Sequence, residues 1–189
     1  HQQIKLIETC WVFFDRSDLE MIKKVNVVVG SFLTQFIIVG MLFTYGVLMT
    51  ELEKEFGWSR TVLSSIGAAG WLAWGIFAIP GGYLNDRLGP KIVLGVNGFI
   101  FGIGFILFSK SSEVWHLFLI FIFFIGTGLS THDISTLSTI AKWFESKRGL
   151  VTSIAKIGTA MGQMVMPPLI AFLIIGFGWR TATFYLGIA

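Results

Sequence analysis

The sequence predicts an all-α polytopic membrane protein, with five full spans and the start of a sixth. Three observations predict it. Hydrophobic residues make up 54% of the 189, against 13% charged, a balance beyond that of globular domains. Apolar runs of about 20 residues, enough to cross roughly 30 Å of hydrocarbon, recur along the whole length. Lys and Arg gather in alternate connections between those runs. The net charge of +3 therefore reports topology and not affinity for nucleic acid. Cys10 is the single cysteine, which excludes a disulfide framework within the chain.

Residues 1–20 mix charged and apolar side chains without a sustained period and are read as an upstream leader, non-native to the bundle. Met21-Ile-Lys-Lys then looks like a start, with two cations just before the first span; a genuine leader on the same side is the alternative. The helices are expected at about 25–49, 61–84, 92–109, 115–141 and 149–175, with a truncated sixth at 181–189. Ser59 is a candidate cap for the second, and Trp58 sits where aromatic belts form. The first, third and fifth segments outside the spans carry Lys23, Lys24, Arg87, Lys91, Lys142, Lys147 and Arg148. The alternate connections carry four: Lys54, Arg60, Lys110 and Arg180. The positive-inside rule puts the N-terminus and the 85–91 connection in the cytoplasm.

That connection, Gly82-Tyr-Leu-Asn-Asp86-Arg87-Leu-Gly89-Pro-Lys91, is a short charged turn between two spans. It resembles the loop between the second and third helices of the major facilitator superfamily, Gly-x-Leu-Ala-Asp-Arg-x-Gly-Arg-Lys. Asn85 stands for the small residue and Pro90 for the first basic one. The resemblance implies the N-terminal six-helix half of a major-facilitator fold, its partner being a missing C-terminal half. It also implies a conformational gate made by Gly82, Asp86, Arg87, Gly89 and Lys91. Asp86 would pair with a cation or a helix N-terminus, and Gly82 and Gly89 would permit close approach and a tight turn. A simpler reading of Arg87 and Lys91 is topology anchoring.

A second stretch, Phe144 to Gly162, is similar to the fifth-helix signature of monocarboxylate porters. Phe144, Lys147, Arg148, Leu150, Ala155, Gly158 and Gly162 match, while Ser146, Val151, Ser153 and Ile157 depart from it. The porters' acidic first-helix signature is missing around Thr44–Met49, which brings the chain nearer to bacterial monocarboxylate or oxalate/formate-type porters than to the animal-type subgroup. Gly158 and Gly162 permit close helix packing. Pro167 and Pro168 remove backbone donors and should bend or loosen the fifth helix.

Charges inside spans are expensive and mark pathways. Lys156 lies eight residues past Arg148, roughly 12 Å along the helix. Asp133, nine residues before Lys142 on the antiparallel fourth span, lies at roughly 14 Å, so an ion pair is allowed. Lys156 would meet a substrate carboxylate or exchange between it and Asp133; snorkelling to headgroups is the alternative. His132 could relay protons or make a structural hydrogen bond. With Asp133 it makes no metal site, because adjacent helical residues point apart. Thr34 and Tyr45 share one angular position on the first helix with Gln35 beside them, and Gln163 shares the face of Lys156. These could bind substrate or glue helices.

No hydrolase or zinc-protease motif occurs, and no enzyme activity, cofactor or metal is expected. The reading is a secondary active transporter of a small organic anion, a monocarboxylate, working by alternating access with proton symport or exchange against a counter-anion. It would sit in the lipid bilayer of a bacterial inner membrane. The alternatives are a porter for a sugar or a drug, and a transporter-like sensor that binds without moving its ligand.

Overall fold

A computed structural model describes the backbone of residues 2–188 and the side chains of residues 20–188. The leader expected at 1–20 falls almost wholly outside the described side chains. The described residues form helices and no strand, and five helical segments are long and apolar enough to span a membrane. The protein is an integral membrane protein. Its outward surface carries Leu72, Ile79, Phe99, Phe172 and Ile175, all exposed, as hydrocarbon contact allows.

Helix α1 runs Gln2–Phe43 and α2 Tyr45–Phe56, so the first span is longer than the expected 25–49. The break is a single turn at Thr44, whose hydroxyl donates to the Met41 carbonyl at 2.6 Å. The acidic stretch 51–55 is helical and not a loop, because Leu48 and Leu52 on its inner face are buried in the core. Helix α3 spans Arg60–Leu88 behind a Ser59 cap whose hydroxyl accepts from the Val62 amide. Helix α4 follows at Pro90–Ser109. Asp86 and Arg87 therefore lie in the last helical turn, and the connection expected there shrinks to Gly89 at φ 83°, ψ 155°, a region open essentially to glycine.

The fourth span, expected as one helix, is interrupted. It comprises α5 (Val114–Ile120), a π-helical turn (Phe121–Gly126), α6 (Thr127–Leu129), a turn at Ser130 and Thr131, and α7 (His132–Trp143). Such insertions cluster at functional sites. Helix α8, Arg148–Phe177, passes through Pro167 and Pro168 unbroken; the two rings leave the carbonyls of Gln163 and Met164 without their usual donors. Gly178, at φ 79°, ψ 158°, turns the chain into α9 (Trp179–Ile188).

Two apolar cores hold the bundle. The larger joins Leu48, Leu63, Phe108, Leu117, Phe121 and Trp179, and the smaller joins Ile140, Val151 and Ala155 with Val28. On α1, Val28 belongs to the small core and Ile38 to the large one. Gln35 lies between them, in a polar layer.

Candidate functional site: the polar layer between the cores

Helices α1 and α8 touch backbone to backbone. A Cβ on Gly158 would strike the Phe32 carbonyl oxygen, and one on Gly162 the Phe36 carbonyl oxygen. The four-residue spacing repeats on both helices, so one turn of each meets one turn of the other. This contact sets Gln35 of α1 against Thr159 of α8, with the Thr159 hydroxyl donating to Gln35 Oε1 at 3.0 Å.

The turn at Ser130–Thr131 starts α7 so that Asp133 falls in its first turn. Asp133 Oδ1 accepts from Lys156 Nζ at 2.5 Å and from Gln35 Nε2 at 2.6 Å. Lys156, Asp133, Gln35 and Thr159 thus form one chain of bonds across α8, α7 and α1. Gln35 is fully buried and uses both ends of its amide. The ion pair is more open: 41% of the Lys156 side chain and 32% of the Asp133 side chain remain accessible. That opening is a cavity of about 190 Å³ whose polar wall is Gln35, His132, Asp133, Lys156, Thr159 and Gln163. Trp71 and Trp74 of α3, packed edge to face with centroids 5.1 Å apart, are on its apolar wall.

His132 is buried. Its Nδ1 lies 2.6 Å from the Leu129 carbonyl, so Nδ1 carries the proton and donates. Contrary to the sequence expectation, His132 and Asp133 do not point apart: Nε2 stands 3.8 Å from Asp133 Oδ1, because the chain has only just left the 130–131 turn. Thr34 and Tyr45 do not reach this cavity. The Thr34 hydroxyl bonds back to Gly30 of its own helix. The Tyr45 hydroxyl donates to the Leu63 carbonyl at 2.8 Å, with its ring 4.5 Å from that of Phe121 in the large core.

The charged motif lies at the end of α3. Asp86 is exposed and has no ion-pair partner among the described residues. Arg87 lies over the Tyr83 ring at 4.4 Å. Gly82 meets only ordinary contact, whereas a Cβ on Gly81 would strike Thr131; the close approach is one residue earlier than expected. The departure from the family pattern, Asn85, is the buried member of the motif. Its amide donates to Ser138 Oγ at 3.2 Å and accepts from Ser135 Oγ at 2.6 Å. On α4, the Asn97 amide likewise donates to the Thr131 hydroxyl. Asn97, Thr131, Ser138 and Thr159 were not singled out by the sequence, and Asn85 stood out only as a departure from the family pattern. The one available signal was a polar residue inside an apolar span.

Residues 31–189 match the Major Facilitator Superfamily. The chain is similar to the agnestins efflux protein AgnL12 of Paecilomyces divaricatus, with 30% identity over 173 residues, 86% of this chain and 39% of that protein. It is also similar to monocarboxylate transporter 13 of Rattus norvegicus, at 27% over 157 residues, 82% of this chain and 36% of that one. A probable L-galactonate transporter of Escherichia coli (strain K12) is 30% identical over 141 residues, 72% of this chain and 30% of that one. The chain spans well under half the length of these relatives. Its match nonetheless runs from the first span through the last helix, and the chain belongs to the Major Facilitator Superfamily.

Proposed function

We propose that this bundle is the N-terminal half of a secondary active transporter that carries a small organic anion, a monocarboxylate, by alternating access. One observation carries the reading. Lys156 is an ammonium inside a span, its carboxylate partner among the described residues is Asp133 at 2.5 Å, and the pair opens onto a cavity. A lone ammonium there is costly. A substrate carboxylate presents the same chemistry as Asp133 and can take its place without leaving the charge unpaired.

Gln35 makes the exchange possible. It donates to the oxygen of Asp133 that Lys156 uses, so Asp133 keeps a hydrogen bond when the ammonium turns to substrate. In proton symport, Asp133 takes up a proton once the cation has left it and releases it when Lys156 returns; His132, whose Nε2 stands 3.8 Å away, is the neighbouring group able to accept it. In anion exchange, Asp133 stays charged and returns to Lys156 only when the next anion is late. The accessible face of the ion pair is where a second bundle would complete the site. The excess of Lys and Arg on one side supports an N-terminus in the cytoplasm.

The test is uptake of labelled lactate, pyruvate, formate and oxalate into proteoliposomes carrying the full-length protein, with and without an inward proton gradient. Uptake driven by the gradient and at least tenfold lower in Lys156→Ala is expected for symport. Uptake only against internal anion indicates exchange. Unchanged KM and rate in Lys156→Ala would overturn the role of Lys156. A second reading, export of a larger organic molecule, draws on the name of the efflux relative and is tested by loading the vesicles from inside.

A further inference from the structure

The apolar wall of the polar cavity has a second cavity on it. Leu42, Phe43, Trp71 and Leu129 also line a second chamber of about 210 Å³. Its remaining walls include Tyr45, Gly46, Met49 and Phe121. Among the described residues, the polar side-chain groups on this wall are the Tyr45 hydroxyl and the Trp71 indole N–H. The Tyr45 hydroxyl is already committed to the Leu63 carbonyl at 2.8 Å. The two chambers lie end to end along α1 and α2, whose residues 35, 39, 42, 43, 46 and 49 form one stripe at helical spacing. The stripe changes character along its length, from an amide to branched and aromatic side chains and then to a glycine.

We propose that the substrate is an amphipathic monocarboxylate with a ring-sized apolar body, and that Gly46 limits how large that body can be. The proposal rests on the Lys156 reading above. The carboxylate sits at Lys156, and the body crosses between Trp71, Leu42 and Phe43 into the second chamber. An apolar cavity of about 150 Å³ is enough to hold benzene, so this chamber has room for an aromatic ring. A polyhydroxy acid would leave its hydroxyls without partners on such a wall, and buried polar groups without hydrogen bonds are costly. A carboxylate of one to three carbons would fill the first chamber and leave the second unused. Gly46 is the position where size can be set, because a Cβ built there meets no heavy atom within 4 Å. A larger side chain therefore takes up chamber space without pushing the helix.

The experiment is uptake by the full-length protein in proteoliposomes, corrected for protein-free liposomes. The series is formate, lactate, phenylacetate, indole-3-acetate and galactonate. The expected result is that the two aryl acids are taken up at least tenfold more efficiently than lactate. In Gly46→Leu, the ratio of indole-3-acetate to lactate uptake should fall by tenfold or more. Should that variant fail to fold, the ranking of acids by the unaltered protein decides alone. Lactate or galactonate carried as well as the aryl acids, with uptake still lost in Lys156→Ala, overturns the apolar-body proposal and leaves the Lys156 reading standing. No uptake of any acid in the series overturns both.

Discussion

Two polar clusters cross this bundle, and they are built to opposite specifications. Lys156, Asp133, Gln35 and Thr159 combine charges with neutral groups and face a cavity. Asn85, Ser135 and Ser138 are all neutral, and the Asn85 and Ser135 side chains are buried between α3 and α7. An ion pair gains much from its partner but tolerates exchange for another ion of the same sign. A buried amide bonded to two hydroxyls has nothing in the bilayer to exchange with. The difference predicts that the seam between α7 and α8 trades partners while the seam between α3 and α7 stays shut.

The harshest way to break this contrast is to pry the helices apart. Gly162→Leu drives a side chain into the Phe36 carbonyl. It should cost about 1–3 kcal/mol of stability, the range for overpacking, read by thermal unfolding in detergent, and should separate Gln35 from Thr159. Asp133→Asn sharpens the contrast instead. With no carboxylate competing for Lys156, an anion should bind more tightly while turnover slows about tenfold, equivalent to roughly 1.4 kcal/mol on the barrier; KM and maximal rate measured together check it. Asn85→Ala should cost about 1 kcal/mol and leave KM where it was, since Asn85 touches no part of the cavity. A KM change there would show that the two clusters are coupled. The smallest effect is expected at Glu55→Gln. Glu55 meets Arg180 at 3.0 Å with both side chains about two-fifths accessible, and such pairs contribute under about 1 kcal/mol.

How much of this was legible in the sequence depended on charge. Lys156 and Asp133 stand out because ionised groups are rare in spans, and counting residues from the ends of antiparallel helices brings them to one depth. The fold was legible for a related reason, since apolar runs and loop cations are strong signals. Neutral polar groups gave no such warning. Thr34 and Thr159 look alike in sequence, yet one bonds its own helix at Gly30 and the other bonds Gln35. Only the facing of α8 against α1 decides between them. The π-helical turn at Phe-Ile-Phe-Phe-Ile-Gly has nothing in its composition to announce it. Around Asp86 the charges are the visible signal in the sequence, while the close packing resides in Gly81 and Asn85.

Gly89 and Gly178 adopt almost the same backbone geometry, φ 83°, ψ 155° and φ 79°, ψ 158°. Each is the sole residue between two long helical segments. A joint one residue long has no slack. Helix α3 passes into α4, and α8 into α9, with a single glycine at each corner. The two bent pairs also lock onto each other, because a Cβ on Gly102 of α4 would strike the Gly187 carbonyl oxygen of α9. Lys156 belongs to one of these bent pairs and Asp133 to the segmented span, so their bond ties together two separately built parts of the bundle.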